Sequence, residues 1–167
     1  MRLKTEIVVL GGGLAGSEAA WQVARPGLPV TLFEMRPAQP TAAHKTDWLA
    51  ELVCSNSLKS NQPESASGLL KEELRRACSL LLRIADEAAV PGGKALAVDR
   101  ERFAATATQA ITSNPLITLR REEARSLPED AIVIVATGPL TSPKLSDRKS
   151  TRLNSSHIQK SRMPSSA

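Results

Sequence analysis

The stretch Ile7-Val8-Val9-Leu10-Gly11-Gly12-Gly13-Leu14-Ala15-Gly16 decides how this chain begins to fold. Four apolar residues read as a short buried strand over 7–10. The turn that follows carries Gly11, Gly13 and Gly16 in G-x-G-x-x-G spacing. The first such glycine permits a tight turn, the second lets the backbone approach a pyrophosphate, and the third lets the next helix pack closely on the sheet. A helix is expected from about residue 15 to 24, stopped by Pro26. Its unpaired N–H groups and partial positive charge would face the phosphates. A second strand over 30–33 ends on Glu34, eighteen residues after Gly16. A carboxylate there can accept hydrogen bonds from ribose hydroxyls and would repel a 2′-phosphate, which argues against NADP at this site. NAD and FAD both use this βαβ grip, so the motif alone leaves the two open.

The rest of the chain continues the α/β pattern. Residues 35–66 contain Pro37, Pro40, Pro63 and many polar side chains, and read as a long loop of the kind that often carries function. Residues 68–89 read as one helix, with Leu70, Leu74, Ala77, Leu81, Ile84 and Ala88 as its apolar stripe. Cys78 lies beside that stripe and reads as a small packed residue. Pro91-Gly92-Gly93 makes a turn, and residues 95–98 a short strand. Asp99 can N-cap a helix over 100–113 that turns Phe103, Ala107, Ala110 and Ile111 inward. Strands are expected at 116–119 and 131–136. The second is apolar throughout, as a buried parallel strand would be. It runs into Thr137-Gly138-Pro139. An apolar strand ending in Ala-Thr-Gly after a glycine grip and its acid resembles the two-dinucleotide-binding flavoproteins. That resemblance brings Gly138 near FAD and favours FAD over NAD. The expected fold is therefore α/β, a Rossmann-like FAD-binding domain of that type, truncated.

A length of 167 residues suffices for one α/β domain with a core. No apolar run approaches the ~20 residues of a membrane span. Glu6 and the glycines interrupt any signal-peptide core, so no membrane association is expected. Cys54 and Cys78 make neither a disulfide framework nor a zinc site, which fits a reducing cytoplasm and a protein without a metal. The net charge of +5 would suggest a nucleic-acid partner, but it is unevenly spread. Residues 1–146 carry 17 basic and 16 acidic side chains, while residues 147–167 carry five basic and one acidic. That last stretch, DRKSTRLNSSHIQKSRMPSSA, has no amphipathic period and buries little. It resembles the in-frame translation of a common sequencing adapter with its index. Two divisions follow as expectations: residues 1–146 as the N-terminal part of an FAD-binding domain, and residues 147–167 as a non-native tail with no part in function.

Several stretches carry a closer resemblance. GGGLAGSEAAW, FEMRP, ELVCSNS (residues 51–57), LKEELR, ALAVDR and ATGPLTSP follow one another in the order and register of the folate- and FAD-dependent tRNA uracil-5-methyltransferases, the TrmFO type. ELVCSNS and ATGPLTSP are the most specific. The chain resembles more distantly the flavoproteins that install carboxymethylaminomethyl groups on wobble uridines, which share the grip but lack ELVCSNS. The closer resemblance implies that methylenetetrahydrofolate gives a one-carbon unit to C5 of a T-loop uridine in tRNA, with electrons from FAD recharged by NADPH or NADH. Uracil C5 is a poor nucleophile, so the exchange needs a nucleophilic addition at C6 or an activated one-carbon carrier.

The resemblance implies cofactor contacts at Gly11, Gly12, Gly13, Leu14, Ala15, Gly16, Glu34, Met35, Arg36 and Gly138, and a catalytic role for Cys54. Read without it, Cys54 would pass for a small buried residue, the usual setting of a free cysteine. A thiolate at Cys54 would need nearby cations or a helix N-terminus, and His44, Lys45 and Lys59 are close in sequence. Trp21 and Trp48 read as packing residues. Lys71, Arg75 and Arg76 could touch tRNA phosphates, although a charged helix face is more often only solvated. The resemblance also implies a much longer protein, with a second catalytic cysteine and most of the folate, nicotinamide and tRNA surface beyond this stretch. The chain alone is then expected to be inactive. The competing readings are the wobble-uridine relative and a generic FAD/NAD(P)H oxidoreductase.

Overall fold

The structure is a computed structural model and describes residues 6–146. The tail read over 147–167 lies outside the described residues. In chain order the elements are β1 (Glu6–Leu10), α1 (Leu14–Ala24), β2 (Val30–Phe33), β3 (Ser57–Ser60), α2 (Ala66–Arg76), α3 (Leu80–Glu87), β4 (Ala89–Val90), β5 (Ala95–Val98), α4 (Arg100–Thr112), β6 (Ile117–Arg120) and β7 (Ala131–Val135), followed by a 3-10 turn at Gly138–Leu140.

Two sheets form. The larger is wholly parallel, in the order β6-β2-β1-β7, with Val8 opposite Thr31 on one side of β1 and opposite Val133 on the other. The smaller is antiparallel, in the order β3-β5-β4. Val8, Val9 and Leu10 at the middle of the parallel sheet are fully buried. Helix α1 turns its small residues, Gly16, Ser17, Ala20 and Ala24, toward the core. At Gly16 an added Cβ would overlap the Gly11 carbonyl oxygen, so only a glycine lets the helix start this close to the strand it leaves. As expected, α1 ends just before Pro26 and Asp99 caps α4, its carboxylate accepting the N–H groups of Glu101 and Arg102.

Four sequence expectations need correction. The helix read over 68–89 is two helices. Cys78 takes a left-handed φ of 59°, and Ser79 restarts the chain as the N-cap of α3 by accepting the Leu82 N–H at 3.2 Å. The cause is α1, which fastens both sides of the break. Arg25 donates to the Ala77 carbonyl at 2.9 Å and Gln22 to the Cys78 carbonyl at 3.2 Å. Glu18 accepts from the Ser79 hydroxyl and from the N–H groups of Leu80 and Leu81. The apolar stripe therefore splits: Leu81, Ile84 and Ala88 are buried, whereas Leu70 is 54% exposed. Cys78 is exposed at the break and does not pack.

Second, Lys71 is buried, its ammonium donating to the Ser60 carbonyl at 2.8 Å and the Ser67 carbonyl at 3.0 Å. It joins α2 to β3 and is spent there. Arg75 forks onto Asp86 at 2.8 and 2.9 Å, so of the three basic residues only Arg76 lies on an open face, beside Glu72. Third, the loop over 35–66 contains β3 and the start of α2. Its strand has no alternating pattern of its own and exists by pairing with β5. Fourth, β7 is parallel to β1 but forms the edge of its sheet among the described residues. With no strand on its far side it is only half-buried, and Ile132 is exposed.

Candidate functional site

The carboxyl ends of β1, β2 and β7 converge on one cleft of about 320 Å³. This is where open α/β sheets take their ligands. Its walls are the turn Gly11–Gly13 with the start of α1, the segment Glu34–Arg36 after β2, and residues 136–142 after β7. Backbone bonds draw these segments together: Gly11 donates to the Phe33 carbonyl and Ala136 to the Leu10 carbonyl, each at 2.8 Å, while Glu34 is fixed to the neighbouring β6 by donating to the Arg120 carbonyl at 2.9 Å. Gly11 has a φ of +102°, and an added Cβ would stand 2.7 Å from the Ala136 carbonyl oxygen. Two motifs more than a hundred residues apart in sequence thus share one tight crossing.

The charge balance of the cleft comes from its helix. Gly13 is the N-cap of α1 and has no side chain to cap with, and the first turn of α1 contains no acid. The first-turn N–H groups have no carbonyl four residues back, so they present a partial positive charge at the cleft wall. Space at Gly13 is open, with no heavy atom of the described residues within 4 Å of where a Cβ would be. Helix α4 differs: Asp99 already caps it. Across the cleft, Ser142 keeps a buried hydroxyl that has no hydrogen-bond partner among the described residues. An open helix N-terminus, room above a glycine and an orphan hydroxyl fit a phosphate-bearing ligand with hydroxyl groups.

Glu34 stands in this wall, nearly fully buried. Its Oε2 accepts the Gly12 N–H at 2.8 Å, and its Oε1 accepts from the Arg36 backbone and side chain at 3.0 and 2.9 Å. Three of about four acceptor positions on the carboxylate are filled, which leaves one for a ligand hydroxyl. Burial pushes the Glu34 carboxyl up. The hydrogen bonds and charge of Arg36, with the Gly12 N–H, outweigh burial and hold it below the usual value. Glu51 behaves alike: burial raises it, but bonds from Lys45 and Thr46 and the Arg36 charge bring it below the usual value. His44, also in the wall, is lowered by burial and by the charge of Arg36, which favours the neutral ring.

The expected site residues thus separate into two groups. Gly11 to Ala15, Glu34, Met35, Arg36 and Gly138 all line the cleft, and Gly16 supports it from beneath. Cys54 does not line it. The chain bends at Cys54, so Val53 lines the cleft while Cys54 lines a separate depression with Asn56, Asp99 and Arg100. Cys54 is exposed, not packed. Of the basic residues near it in sequence, His44 belongs to the cleft instead, and the cation that lines the depression with Cys54 is Arg100, at the start of α4. Sequence reasoning missed the anchoring role of Glu51, which meets Arg36 at 3.0 Å across fifteen residues. It also missed Ser142, whose isolation is visible only in three dimensions. Among the described residues, no group of histidine, cysteine or carboxylate side chains could hold a metal ion, and no helix is long and apolar enough to cross a membrane.

Fold and cleft together define a Rossmann-like α/β protein of the dinucleotide-binding type. The chain belongs to the glucose inhibited division protein A family, whose model matches residues 6–162. Similar proteins include the methylenetetrahydrofolate--tRNA-(uracil-5-)-methyltransferase TrmFO of Solibacter usitatus, 64% identical over 141 residues, or 84% of this chain and 32% of the relative. The protein of the same name from Dictyoglomus thermophilum is 58% identical over 82% of this chain and 31% of its own length. That from Enterococcus faecalis is 57% identical over 86% of this chain and 33% of its own length. The chain thus spans about a third of the length of these relatives. Among solved structures, Aquifex aeolicus GidA in its form II crystal matches with a TM-score of 0.60 at 18% identity, covering 77% of this chain and 21% of that one. At that identity the likeness speaks for the fold.

Proposed function

We propose that residues 1–146 are the N-terminal part of the FAD-binding domain of a folate- and FAD-dependent tRNA uracil-5-methyltransferase, and that residues 147–167 are a non-native tail. The single observation that carries the cofactor reading is the uncapped N-terminus of α1, which opens beside Gly13 onto a cleft closed by Thr137 and Gly138. In this reading the N–H groups at 14–16 hold the pyrophosphate, and the free acceptor position on Glu34 takes a ribose hydroxyl. Arg36 keeps Glu34 ionised and aimed. Bound FAD would supply the electrons that convert a methylene carried by folate into a methyl group. Cys54, exposed beside the cleft, serves as the candidate nucleophile toward the uridine.

The relatives named for this reaction, at 57 to 64% identity over more than four-fifths of the chain, support the methyltransferase over the wobble-uridine reading. NADPH or NADH would recharge the flavin, and tRNA would present its T loop, through surfaces of the longer protein. The chain alone then binds cofactor without completing methyl transfer.

Flavin titration tests the first half: FAD should bind the purified chain and FMN, which lacks the adenylate that Glu34 would hold, should bind far less. Equal affinity for the two would overturn the assignment of the cleft. Incubating the longer protein with tRNA transcript, methylenetetrahydrofolate and NADPH tests the second half. Absence of 5-methyluridine in the T loop would overturn the methyltransferase reading.

A further inference from the structure

A chain of charged contacts runs from the cleft toward the segment that carries Cys54. Glu34 Oε1 accepts from Arg36 Nε at 2.9 Å, and Arg36 Nη1 donates to Glu51 Oε2 and to the Thr46 carbonyl, each at 3.0 Å. Glu51 is then filled from its own loop. It accepts the Lys45 N–H at 2.9 Å, the Thr46 N–H at 3.2 Å and the Thr46 hydroxyl at 2.9 Å. Arg36 is 3% exposed, so removing either carboxylate would leave a buried charge short of a partner. One residue before Glu51, the Ala50 N–H donates to the Gly12 carbonyl at 2.9 Å, with Ala50 itself at a φ of 53°.

Both backbone groups of Gly12 are therefore held, its N–H by Glu34 and its carbonyl by the Ala50 N–H and the Ser17 hydroxyl. Val53 follows Glu51 by two residues and lines the cleft, and Cys54 comes next and lines the neighbouring depression. A ligand bearing on Gly12 and Val53 thus presses at both ends of the short segment that leads to Cys54. Among the described residues, the Arg36–Glu51 pair is the one ion pair that ties that segment to Glu34.

We propose that Arg36 and Glu51 are positioning residues that couple occupancy of the dinucleotide cleft to the placement of Cys54. The proposal rests on the FAD reading above and adds to it a function for the ion-pair chain: the cofactor does not only supply chemistry, it also sets the cysteine segment. Where Glu51 alone is neutralised, Arg36 still holds Glu34 and FAD still seats on α1, but the segment from Glu51 to Cys54 no longer responds to it.

Alkylation of the two cysteines by iodoacetamide, followed by peptide mass spectrometry with and without FAD, tests this in the purified chain. Cys78, also exposed, serves as the internal reference. FAD is expected to slow alkylation of Cys54 relative to Cys78 about tenfold, and Glu51→Gln to reduce that effect below about twofold while FAD still binds. Thr46→Val removes a single hydroxyl from Glu51 and should give an intermediate effect, so the series stays readable if Glu51→Gln disturbs folding. Two results would overturn the coupling and leave the cofactor reading standing: wild-type chain that binds FAD with no change at Cys54, or Glu51→Gln that keeps the full effect. Wild-type chain that binds no FAD would overturn both.

Discussion

The Glu34 carboxylate accepts the Gly12 N–H at 2.8 Å, so the acid that closes the β1-α1-β2 grip is bonded to the turn that opens it. An added Cβ at Gly12 would stand 2.7 Å from the same carboxylate oxygen. Acid and turn are one unit, and a ligand that uses either meets both.

Gly11→Ala and Gly13→Ala should separate folding from binding. At Gly11 the φ of +102° and the Ala136 carbonyl leave no place for a methyl group. That variant should lose about 2 kcal/mol or more in urea unfolding. At Gly13 the backbone is extended and the space empty, so stability should fall by no more than about 1 kcal/mol, the cost of an alanine in place of a glycine N-cap. The new methyl group would stand where the pyrophosphate comes in, and FAD affinity should fall by about tenfold or more. Unchanged FAD affinity in Gly13→Ala would remove the pyrophosphate from this turn.

Glu18→Ala should destabilise the break between α2 and α3. It strips the acceptor from the Ser79 hydroxyl and from the N–H groups of Leu80 and Leu81. The cost expected from lost capping is about 1–2 kcal/mol in chemical denaturation, with FAD affinity unaffected. A neutral result would mean that Ser79 alone sustains α3.

Acid should unfold the chain through the Glu34–Arg36–Glu51 chain. Both carboxyls lie below their ordinary value of 4.5 in the folded protein, so the unfolded state takes up protons first as pH falls. Their contribution is complete above that value and is lost as pH drops through the lowered folded values. His44, lowered from 6.5, adds a loss of the same sign at higher pH, because protonation favours the unfolded chain. Melting temperature should therefore fall from about pH 6.5 downward, and steeply below 4.5. In Glu51→Gln the acid limb should be shallower. A melting temperature flat from neutral to pH 4 would contradict these shifts.

Cys54→Ala in the longer protein should lower kcat for tRNA methylation by about a hundredfold or more while FAD stays bound. Cys54 is exposed and does not line the cleft, so its loss should disturb neither the packing nor the cleft. Normal turnover by that variant would leave Cys54 without a catalytic role.

Deleting residues 147–167 should leave both melting temperature and FAD affinity unchanged, since this stretch has no amphipathic period with which to bury a face. The family match runs to residue 162, which makes the comparison informative. A drop of several degrees would show that the stretch belongs to the fold.

The β1-α1-β2 grip and the cap at Asp99 were legible in the sequence, because each depends on local rules: glycine spacing, an apolar run of strand length, an N-cap side chain. The approach of Thr137-Gly138 to the first turn was legible only through the resemblance to two-dinucleotide-binding flavoproteins. The cysteine stretch was legible as a family signature but not as geometry. The helix over 68–89 shows the limit. Its apolar period continues through Cys78, and only Glu18, Gln22 and Arg25 on another helix explain why the chain turns there. Lys71 looks like a surface cation until Ser60 and Ser67 claim it.

By itself, the sequence determined that a parallel α/β grip forms at the start of the chain and that an acid follows it, since these features depend on residues within one another's reach along the backbone. The tertiary structure decided that Glu34 is joined through Arg36 to Glu51, and that Cys54 lines a different depression from the cleft its neighbour Val53 lines. Those relations follow from how separate segments pack, and buried charges are satisfied by partners that no spacing rule along the chain announces.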